Sequence, residues 1–315
     1  MNKIVVLGSN GFIGRKLTRS LAEDPANKIV AFDGFKEYKQ GQVEPFSDLS
    51  NVEIYPGDFL NTEDLAGALH LADYVFHLIS TTTPASSDKD PLIDIDTNIK
   101  GSVELFNICL KNKVKKIIFP SSGGTVYGDS ATGFNKEDDL TKPYSPYGIG
   151  KLAIEYYLGY FKRTHGLDYI VYRLSNPYGP GQNIYGKQGV IPIFLNKILN
   201  NEELTIYGDG EMVRDYIYID DAVKMIGKTF QSDTQYHTYN IGSGKGESVN
   251  QIIDILRETT GRSIKITHAQ TPLSYVEKSV LNTERFIDEF GISPETTLES
   301  GIKKTWDYIK QNYAV

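Results

Sequence analysis

The start of the chain places the strongest constraint on its fold. An apolar run, residues 4–7, leads into the segment Gly8-Ser-Asn-Gly11-Phe-Ile-Gly14, and residues 15–23 continue with leucines at helical spacing. The order strand, glycine turn, helix is that of the first unit of a parallel α/β sheet. Glycine permits a tight turn and a close approach of the backbone, while the N-terminus of the helix offers unpaired N–H groups to an anion.

This turn predicts the binding of a dinucleotide, with the pyrophosphate against the start of the helix. Its spacing is G-x-x-G-x-x-G, whereas the general fingerprint is G-x-G-x-x-G, and an ordinary βα turn is the alternative. The residues of the turn that are predicted to contact the cofactor are Gly8, Asn10, Gly11, Phe12, Ile13 and Gly14.

Asp33 ends a second predicted strand, residues 29–32. It lies at about the distance from the glycine turn at which an acidic side chain meets the ribose hydroxyls of the adenosine. A carboxylate there would repel a 2′-phosphate, no arginine follows it immediately, and Lys36 is the nearest cation. NAD is therefore predicted rather than NADP, and a turn aspartate in Asp33-Gly34 is the alternative.

Strands and helices alternate through the first half of the chain. Further strands are predicted at residues 52–55, 74–79, 116–119 and 169–174, and helices at 62–71, 93–111 and 147–165. This alternation predicts a doubly wound parallel sheet of the Rossmann type. Asp58, after the third strand, either faces the adenine or caps its own turn, and His77 on the fourth strand is expected to be a core histidine rather than a catalyst.

The chemistry is predicted to lie in residues 116–151. The strand there leads into Ser121 and Ser122 at the carboxyl edge of the sheet, where open α/β sheets place their ligands. Tyr147 and Lys151 follow at the start of a helix, four residues apart, which places the phenol and the ammonium on one face. Because a nearby cation favours the phenolate, the pKa of Tyr147 is expected to be lowered and Tyr147 to act as a base toward a hydroxyl. An ordinary amphipathic helix with a surface lysine is the alternative.

Composition and charge argue against several classes of protein. A net charge of −7, from 40 acidic and 33 basic residues, does not suggest a surface for nucleic acid or an anionic membrane. The single cysteine, Cys109, fits a buried thiol in a reducing cytosol. Asp220 and Asp221 are expected to cap a helix and no metal site is predicted, since no cluster of histidine, cysteine and carboxylate accompanies them. The first apolar run is too short for a signal peptide or a membrane span, so a cytoplasmic protein is expected.

The pattern changes after residue 174, where glycine, proline and tyrosine become frequent. Two domains are predicted from this change. The first comprises residues 1–174 with a return segment near residues 215–243, and the second, a smaller α/β domain, consists mainly of residues 175–315.

Six motifs in this order resemble those of a known family. They are the glycine turn, Asp33, Ser121-Ser122 through Tyr127-Gly128, Tyr147-x-x-x-Lys151, Arg173-x-x-Asn176-Pro177-x-Gly179, and Arg214-Asp215-Tyr216. Over nearly its whole length the chain thereby resembles the extended short-chain dehydrogenases/reductases. Within them it is most similar to the NAD-dependent epimerase/dehydratase family, near the UDP-glucose 4-epimerases.

The resemblance implies a Rossmann domain that binds NAD and a smaller C-terminal domain that binds a nucleotide sugar. In such enzymes the residue matching Tyr147 is the base, and the residue matching Lys151 holds the nicotinamide ribose. Asn176 and Arg214 match residues that contact the diphosphate of the substrate, and a guanidinium suits that role because its donors form a fixed fork. A local pair with Asp215 is the alternative for Arg214. A homodimer through two long helices is also implied.

The predicted site contains further residues. Cofactor contacts are also expected from Asp58, Phe59, Leu78, Ser80, Asn98, Ser121, Tyr147 and Lys151. Substrate contacts are expected from Thr81, Thr125, Asn176, Val190, Tyr207 and Arg214. The predicted catalytic residues are Tyr147 and Lys151, together with Thr125 or Ser122.

The chain departs from the family pattern in three places. In 4-epimerases a third serine usually follows the first two and hydrogen-bonds the sugar 4-hydroxyl, but here Gly123 stands in its place, and Thr125 or Ser122 is the candidate donor of that hydroxyl. Sugar 4,6-dehydratases carry an Asp-Glu pair before Val-Tyr-Gly, whereas this chain has Gly124-Thr125, so a dehydratase is not expected. Residues 268–275 differ from the segment that grips the nucleoside in many UDP-sugar enzymes, which leaves the base open.

A nucleotide-sugar 4-epimerase is the leading hypothesis, in which NAD takes hydride from C4 and returns it to the other face of a 4-keto intermediate. A 4-ketoreductase of a 4-keto-6-deoxy nucleotide sugar is the second hypothesis, and Gly123 favours it. A non-catalytic dinucleotide sensor on the same fold is the third, and the intact Tyr147 and Lys151 argue against it.

Overall fold

The chain divides into two compact units, each built from several segments. The computed structural model describes residues 2–35, 45–129, 132–186, 189–270 and 276–313. The first unit comprises Met1–Ser121, Ser145–Tyr172 and Ile226–Thr238, and the second comprises Ser122–Tyr144, Arg173–Met225 and Tyr239–Val315.

The described ranges contain the following elements. The strands are β1 (Asn2–Leu7), β2 (Asn27–Asp33), β3 (Val52–Pro56), β4 (Tyr74–His77), β5 (Lys116–Ser122), β6 (Phe134–Asn135), β7 (Asp168–Leu174), β8 (Asn176–Tyr178), β9 (Leu204–Tyr207), β10 (Val213–Tyr218), β11 (Thr238–Ile241), β12 (Gly246–Ser248), β13 (Ile266–Ala269) and β14 (Lys278–Leu281). The helices are α1 (Phe12–Ala22), α2 (Thr62–Ala68), α3 (Pro84–Ser87), α4 (Lys100–Lys111), α5 (Pro146–His165), α6 (Val190–Leu199), α7 (Ile219–Thr229), α8 (Val249–Thr260), α9 (Glu284–Phe290) and α10 (Leu298–Tyr313), with a π-helix, Asp94–Ile99, directly before α4.

The strands of the first unit belong to one parallel sheet. Within the described residues this sheet has seven strands in the order β11, β7, β5, β4, β1, β2, β3. Ile4 of β1 lies opposite both Ile29 of β2 and Tyr74 of β4, and all three strands run parallel. The strand order reverses at the β1–β4 pair, and open α/β sheets bind ligands at the carboxyl ends of the strands at such a point. The predicted doubly wound Rossmann sheet is confirmed.

The core of the first unit explains its strand sequences. Ile4, Val5, Val6 and Leu7 of β1 are all fully buried, as expected for a central parallel strand covered by helices on both faces. Cys109 of α4 belongs to the same core, in agreement with the predicted buried thiol, and its burial raises the pKa of the thiol.

The second unit combines short strands with three packed helices. β10 pairs antiparallel with β12 and parallel with β14 and β8, while β9 pairs with β13 in a separate two-stranded sheet. Leu195 of α6, Leu256 of α8 and Trp306 of α10 meet in one apolar core.

The observed division differs from the predicted boundary at residue 174. Residues 122–144 belong to the second unit because β6 within them pairs with β14, placing Asn135 opposite Leu281. Glu137 of the same segment also accepts a hydrogen bond from the backbone N–H of Asn240 at 2.8 Å. The segment that returns to the first unit is residues 226–238, which is shorter than the predicted 215–243.

Two predicted helix starts also differ from the structure. The single helix predicted over residues 93–111 is a π-helix followed by α4. α7 begins at Ile219, so Asp220 and Asp221 lie inside its first turn rather than before it, where carboxylates favour the helix dipole. Asp221 also accepts a hydrogen bond from the backbone N–H of Thr296 at 2.8 Å.

In the described part of the chain, none of the helices has both the length and the apolar composition that a membrane crossing requires.

Candidate active site

The glycine turn joins β1 to α1 with almost no space between them. Gly8 adopts a φ of +85°, a conformation that side chains other than glycine rarely accept. A Cβ added at Gly14 would overlap the carbonyl oxygen of Gly8, so the helix packs directly on the turn. The N-cap of α1 is Gly11, which has no side chain to bond the first N–H groups of the helix. This geometry fits a backbone cradle for a pyrophosphate.

Asp33 lies beside this turn at the end of β2. Its Oδ2 accepts a hydrogen bond from the backbone N–H of Asn10 at 3.0 Å, and Arg15 Nε donates to Asn10 Oδ1 at 3.0 Å. The carboxylate is therefore held at the predicted turn, as a residue that meets ribose hydroxyls would have to be. Phe12 and Ile13 form the first turn of α1.

The residues after β3 are placed differently from one another. Asp58 is exposed and its Oδ1 accepts a hydrogen bond from the backbone N–H of Leu60 at 3.0 Å, so it caps its own turn, which was one of its two predicted roles. Phe59 is buried in the core, where its ring lies 5.2 Å from that of His77. The side chain of Phe59 thus packs in the core of the unit.

His77 is a core histidine, as predicted. Its Nε2 lies 2.8 Å from Ser102 Oγ, and burial, aided by the charge of Lys151, lowers the pKa of the ring to about 3. His77 is therefore neutral near pH 7.

The segment after β4 binds to the π-helix. Leu78 donates its backbone N–H to the carbonyl of Leu7 at 3.0 Å, which holds the end of β4 against β1. Thr81 donates both its backbone N–H and its hydroxyl to Asn98 Oδ1, at 3.0 and 3.1 Å, and Ser80 Oγ donates to the carbonyl oxygen of Thr82 at 3.1 Å. The hydrogen bonds of Thr81 thus join two predicted site residues, Thr81 and Asn98, that come from separate segments of the sequence.

Tyr147 and Lys151 line one small cleft with Ser80 and Asn98. Ser145 is the N-cap of α5, as predicted, and its hydroxyl accepts a hydrogen bond from the backbone N–H of Gly148 at 3.2 Å. The helix therefore starts at a fixed residue and presents Tyr147 and Lys151 on one face. The remaining residues of the cleft are Ile79, Asp94, Gly150 and Ile154.

The pKa values of this pair do not follow the simple cation argument. The pKa of Tyr147 is raised to about 12, first by burial and then by the carboxylate of Asp94. Burial also lowers the pKa of Lys151 to about 8, although Glu155 and Asp94 oppose that effect. Lys151 Nζ lies 5.8 Å from the centre of the Tyr147 ring and 4.7 Å from that of Phe119. The expectation that the pKa of Tyr147 lies below its usual value is therefore wrong.

Ser121 is buried near the end of β5. Its hydroxyl donates a hydrogen bond to Oε1 of Glu155 on α5 at 2.5 Å. This contact ties the strand end to the helix that carries Lys151, whose Nζ reaches the carbonyl oxygen of Pro120 at 3.4 Å.

In the second unit, Ser122 and Thr125 form a tight turn. The carbonyl oxygen of Ser122 accepts hydrogen bonds from the backbone N–H groups of Thr125 and Val126, at 3.2 and 3.1 Å. The hydroxyl oxygen of Thr125 is buried, and within the described residues it has no hydrogen-bond partner. Such a hydroxyl is available to a ligand.

The second unit also contains a cavity of about 190 Å³. Four predicted substrate residues line it, namely Asn176, Val190, Tyr207 and Arg214. The lining also includes Tyr178, Gly189, Met212, Tyr216 and Val249, among others. The prediction of a shared binding site for the first four is consistent with this placement.

Asn176, Arg214 and Asp215 are fixed by backbone groups around the cavity. Arg214 donates to the carbonyl oxygens of Val213 and Val276, at 2.8 and 2.6 Å, and Asn176 Nδ2 donates to the carbonyl oxygen of Asp215 at 2.8 Å. The carboxylate of Asp215 is buried and accepts from the backbone N–H and the hydroxyl of Ser243, both at 2.8 Å. Because neighbouring side chains of a strand point to opposite faces, the side chains of Arg214 and Asp215 lie on opposite faces of β10.

The sequence did not single out several residues of these two sites. Asp94 precedes Asn98 by four residues, and this helical spacing was the signal that could have identified it. Tyr216 follows Arg214 by two residues in a strand, which places both on one face. Lys36, the cation nearest to Asp33 in the sequence, and residues 271–275, part of the segment that differs from UDP-sugar enzymes, lie outside the described residues.

The chain is similar over most of its length to known proteins. The model of the NAD-dependent epimerase/dehydratase family matches residues 4–242. A putative UDP-glucose 4-epimerase of Methanocaldococcus jannaschii is 30% identical over 98% of this chain and 99% of its own length. A dTDP-4-dehydro-6-deoxyglucose reductase of Escherichia coli is 34% identical over 96% of each chain. The crystal structure of UDP-glucose 4-epimerase from Thermotoga maritima with UDP-glucose is 36% identical, with a TM-score of 0.90 over 99% of each chain.

These matches confirm the predicted relationship to extended short-chain dehydrogenases/reductases, the Rossmann fold and the dependence of the family on NAD. The family match covers most of the chain, from β1 to the end of β11, and the relatives match almost all of it. The chain is therefore an enzyme that belongs to the NAD-dependent epimerase/dehydratase family.

Proposed function

We propose that the protein is an NAD-dependent nucleotide-sugar 4-epimerase of the UDP-hexose or UDP-N-acetylhexosamine type. In this proposal the first unit holds NAD and the second holds the nucleotide sugar. The observation that carries it is the cleft in which Tyr147 and Lys151 face Ser80 and Asn98, in a chain 36% identical to a UDP-glucose 4-epimerase.

The residues of the first unit suit NAD. The glycine turn offers backbone N–H groups to the pyrophosphate, and Asp33 offers a carboxylate to the adenosine ribose. Lys151 is proposed to hold the nicotinamide ribose. Bound NAD would supply the acceptor and donor of hydride for the sugar carbon, while the residues of the chain move the proton.

Tyr147 is proposed as the base that takes the proton of the sugar 4-hydroxyl and later returns it. A pKa near 12 keeps the phenol protonated at neutral pH, so the phenolate has to be favoured when ligands bind. Lys151 can contribute to this because its ammonium lies on the same helical face, and the positive nicotinamide acts in the same direction.

The cavity of the second unit is proposed to bind the nucleotide part of the substrate. Arg214 and Asn176 would contact the diphosphate, with Val190 and Tyr207 against the nucleoside. Thr125 is proposed to bond the sugar 4-hydroxyl, with Ser122 as the alternative. The buried and unpartnered hydroxyl of Thr125 favours it among the described residues.

The test is incubation of the purified protein, without added cofactor, with UDP-glucose, UDP-galactose and their N-acetyl counterparts, followed by proton NMR of the products. Interconversion of the 4-epimers is expected, and it would identify the sugar. Bound NAD without turnover of any sugar, including keto sugars, would instead support a non-catalytic dinucleotide sensor.

A 4-ketoreductase is the second candidate, because the Escherichia coli relative at 34% identity is a dTDP-4-dehydro-6-deoxyglucose reductase. Tyr147 would then donate a proton to the oxygen of the keto group while hydride reaches the carbon once. Incubation with a 4-keto-6-deoxy nucleotide sugar and NADH or NADPH separates the two candidates. Stoichiometric loss of the reduced cofactor supports the reductase, and its absence together with epimerisation supports the leading proposal.

A homodimer through α4 and α5 is also proposed. The helix α5 exposes Ile149, Tyr156, Tyr157 and Tyr160, which are between 41% and 70% exposed. Apolar and aromatic surface of this kind favours association. Light scattering should report twice the chain mass, and Tyr156→Glu should shift the protein toward the monomer.

We further propose a cytoplasmic location and a role in carbohydrate metabolism that leads to polysaccharide.

A further inference from the structure

Asp94 is a buried charged residue to which the proposed function assigns no role. It lies at the start of the π-helix and is 3% exposed. Its Oδ1 accepts hydrogen bonds from Thr82 Oγ1 at 2.6 Å and from Asn98 Nδ2 at 2.9 Å. Its Oδ2 is buried, and no donor among the described residues reaches it. A buried carboxylate oxygen without a donor is costly, so it points to a function.

The position of Asp94 relative to α5 shows what the carboxylate faces. A Cβ added at Gly150 would lie 3.5 Å from Asp94 Oδ1, in van der Waals contact. Gly150 shares a helical face with Tyr147 and Lys151, and all four residues line the same cleft. The carboxylate thus lies next to the helix that carries the reactive pair.

Two other titratable groups lie around the pair. Glu155, on α5 itself, also raises the pKa of Lys151, and it accepts a hydrogen bond from Ser121 Oγ at the end of β5. His77 on β4 is neutral near pH 7, because burial lowers its pKa to about 3. α3 contributes the uncharged hydroxyl of Ser87, which accepts a hydrogen bond from the backbone N–H of Tyr147 at 3.1 Å. Asp94 is therefore the carboxylate that enters the cleft from outside α5.

We propose that Asp94 is a positioning residue for the Tyr147–Lys151 pair, whose charge keeps the ammonium on Lys151 and the proton on Tyr147 until ligands fill the cleft. The proposal rests on the proposed function for its role in turnover, but the charge effect itself does not depend on the substrate. Burial alone drives Lys151 toward the neutral amine, and a neutral amine neither favours the phenolate nor holds a ribose as a cation. The carboxylate opposes this effect on Lys151 and raises the pKa of Tyr147 as well.

The first experiment measures the protonation of Lys151 directly, without sugar substrate. Competitive acetylation with isotope-labelled acetic anhydride between pH 6 and 11, followed by mass spectrometry, gives the titration midpoint of the peptide that contains Lys151. The midpoint in the unmodified protein is expected near pH 8. Asp94→Asn should lower it by about one pH unit, because an opposite charge nearby is lost.

Matched variants separate charge from structure. Asp96→Asn removes a carboxylate from an exposed position of the same π-helix and should leave the midpoint unchanged. Thr82→Val removes one donor from Asp94 but keeps its charge, so it should also leave the midpoint near that of the unmodified protein. Asp94→Ser is the second variant without the charge, for use if a buried amide at this position prevents folding.

The second experiment is the pH profile of kcat/KM. In Asp94→Asn both limbs should move toward lower pH, since the lost charge favoured the protonated form of both residues. For a shift of the Lys151 limb from about pH 8 to about pH 7, the ratio of turnover at pH 8.5 to that at pH 7 should fall about fourfold. A midpoint and a profile equal to those of the unmodified protein, or equal shifts in Asp96→Asn or Thr82→Val, would overturn the proposal. Failure of the proposed function is distinguishable, because it would remove turnover without changing the labelling result.

Discussion

Gly123 lies so close to Leu281 that a Cβ at position 123 would stand 2.6 Å from Cδ1 of the leucine and 3.1 Å from the carbonyl oxygen of Arg173. Real Cβ atoms essentially never approach other atoms to the first of these distances. A serine at this position therefore requires the Leu281 side chain to move and the carbonyl oxygen of Arg173 to shift slightly. The third serine of the 4-epimerase pattern would therefore fit at position 123 only with a rearranged Leu281 side chain.

Gly123→Ser is expected to destabilise the protein. Overpacking of a buried position costs about 1–3 kcal/mol in the free energy of unfolding. Gly124→Ser is the matched control, because the nearest side-chain atoms to a Cβ there are 3.9 Å away, and it should change stability by less than about 0.5 kcal/mol. Urea denaturation of both variants measures the difference, and equal stabilities would show that the turn relaxes without cost.

Tyr147→Phe should retain the fold and the binding of NAD but lose most turnover. Acid–base groups contribute about 10²–10⁴-fold to the rate, and phenylalanine cannot carry the proton. Tyr156→Phe, on the exposed part of the same helix, is the control and should remain active. Turnover is followed by NMR and NAD binding by fluorescence. A near-normal rate for Tyr147→Phe would remove Tyr147 from the role of base.

Lys151→Met should stabilise the protein at pH 7 and inactivate it. Burial lowers the pKa of Lys151 from 10.5 to about 8, so the unfolded chain binds this proton more tightly than the folded one. Burying the ammonium of Lys151 therefore lowers the free energy of unfolding by roughly 3 kcal/mol. This loss is fully present below pH 8 and disappears as the pH rises to 10.5. The stability advantage of the variant should therefore shrink between pH 8 and 10.5.

Denaturation curves at pH 7 and pH 10 test this sign. Lys111→Met, at an exposed position of α4, is the control and should alter stability by less than about 0.5 kcal/mol. A Lys151→Met protein that is less stable than the unmodified chain at pH 7 would contradict the expectation.

Arg214→Ala should weaken the binding of the nucleotide sugar about ten- to hundredfold, the usual effect of losing a charge-assisted contact to phosphate. The rate at saturating substrate should change less. Arg257→Ala is the control, because Arg257 is also in the second unit but pairs with Asp254 at an exposed position of α8. Calorimetric titration with UDP-sugar measures both variants, after a melting curve has shown that each is folded. An unchanged affinity would make Arg214 a structural residue that holds the carbonyl oxygens of Val213 and Val276.

Local sequence patterns predicted the Rossmann sheet and the placement of Tyr147 and Lys151 on one helical face. The apolar run of β1 with its glycine turn and the four-residue spacing of Tyr147 and Lys151 are local signals, and the structure retains both. The pKa of Tyr147 could not be predicted in this way. It depends first on burial and then on Asp94, which lies more than fifty positions away in the sequence, in the π-helix.

The limits of the two units were also beyond local patterns. The assignment of residues 122–144 depends on the pairing of β6 with β14, two short strands separated by most of the second unit. Asp58 is a different case, because the local sequence fitted both of its predicted roles, contact with the adenine and capping of its own turn. The hydrogen bond that it accepts from the backbone N–H of Leu60 corresponds to the second role.

The pairing of Val171 with His237 has a consequence for synthesis of the protein. The backbone N–H of Val171 in β7 bonds to the carbonyl oxygen of His237 at 2.8 Å, so the first unit includes a segment that ends at residue 238. Because synthesis proceeds from the N-terminus, Val171 of β7 has no bond to His237 until more than two-thirds of the chain has been translated. A nascent chain that stalls before then leaves the edge of β7 exposed to chaperones or to aggregation.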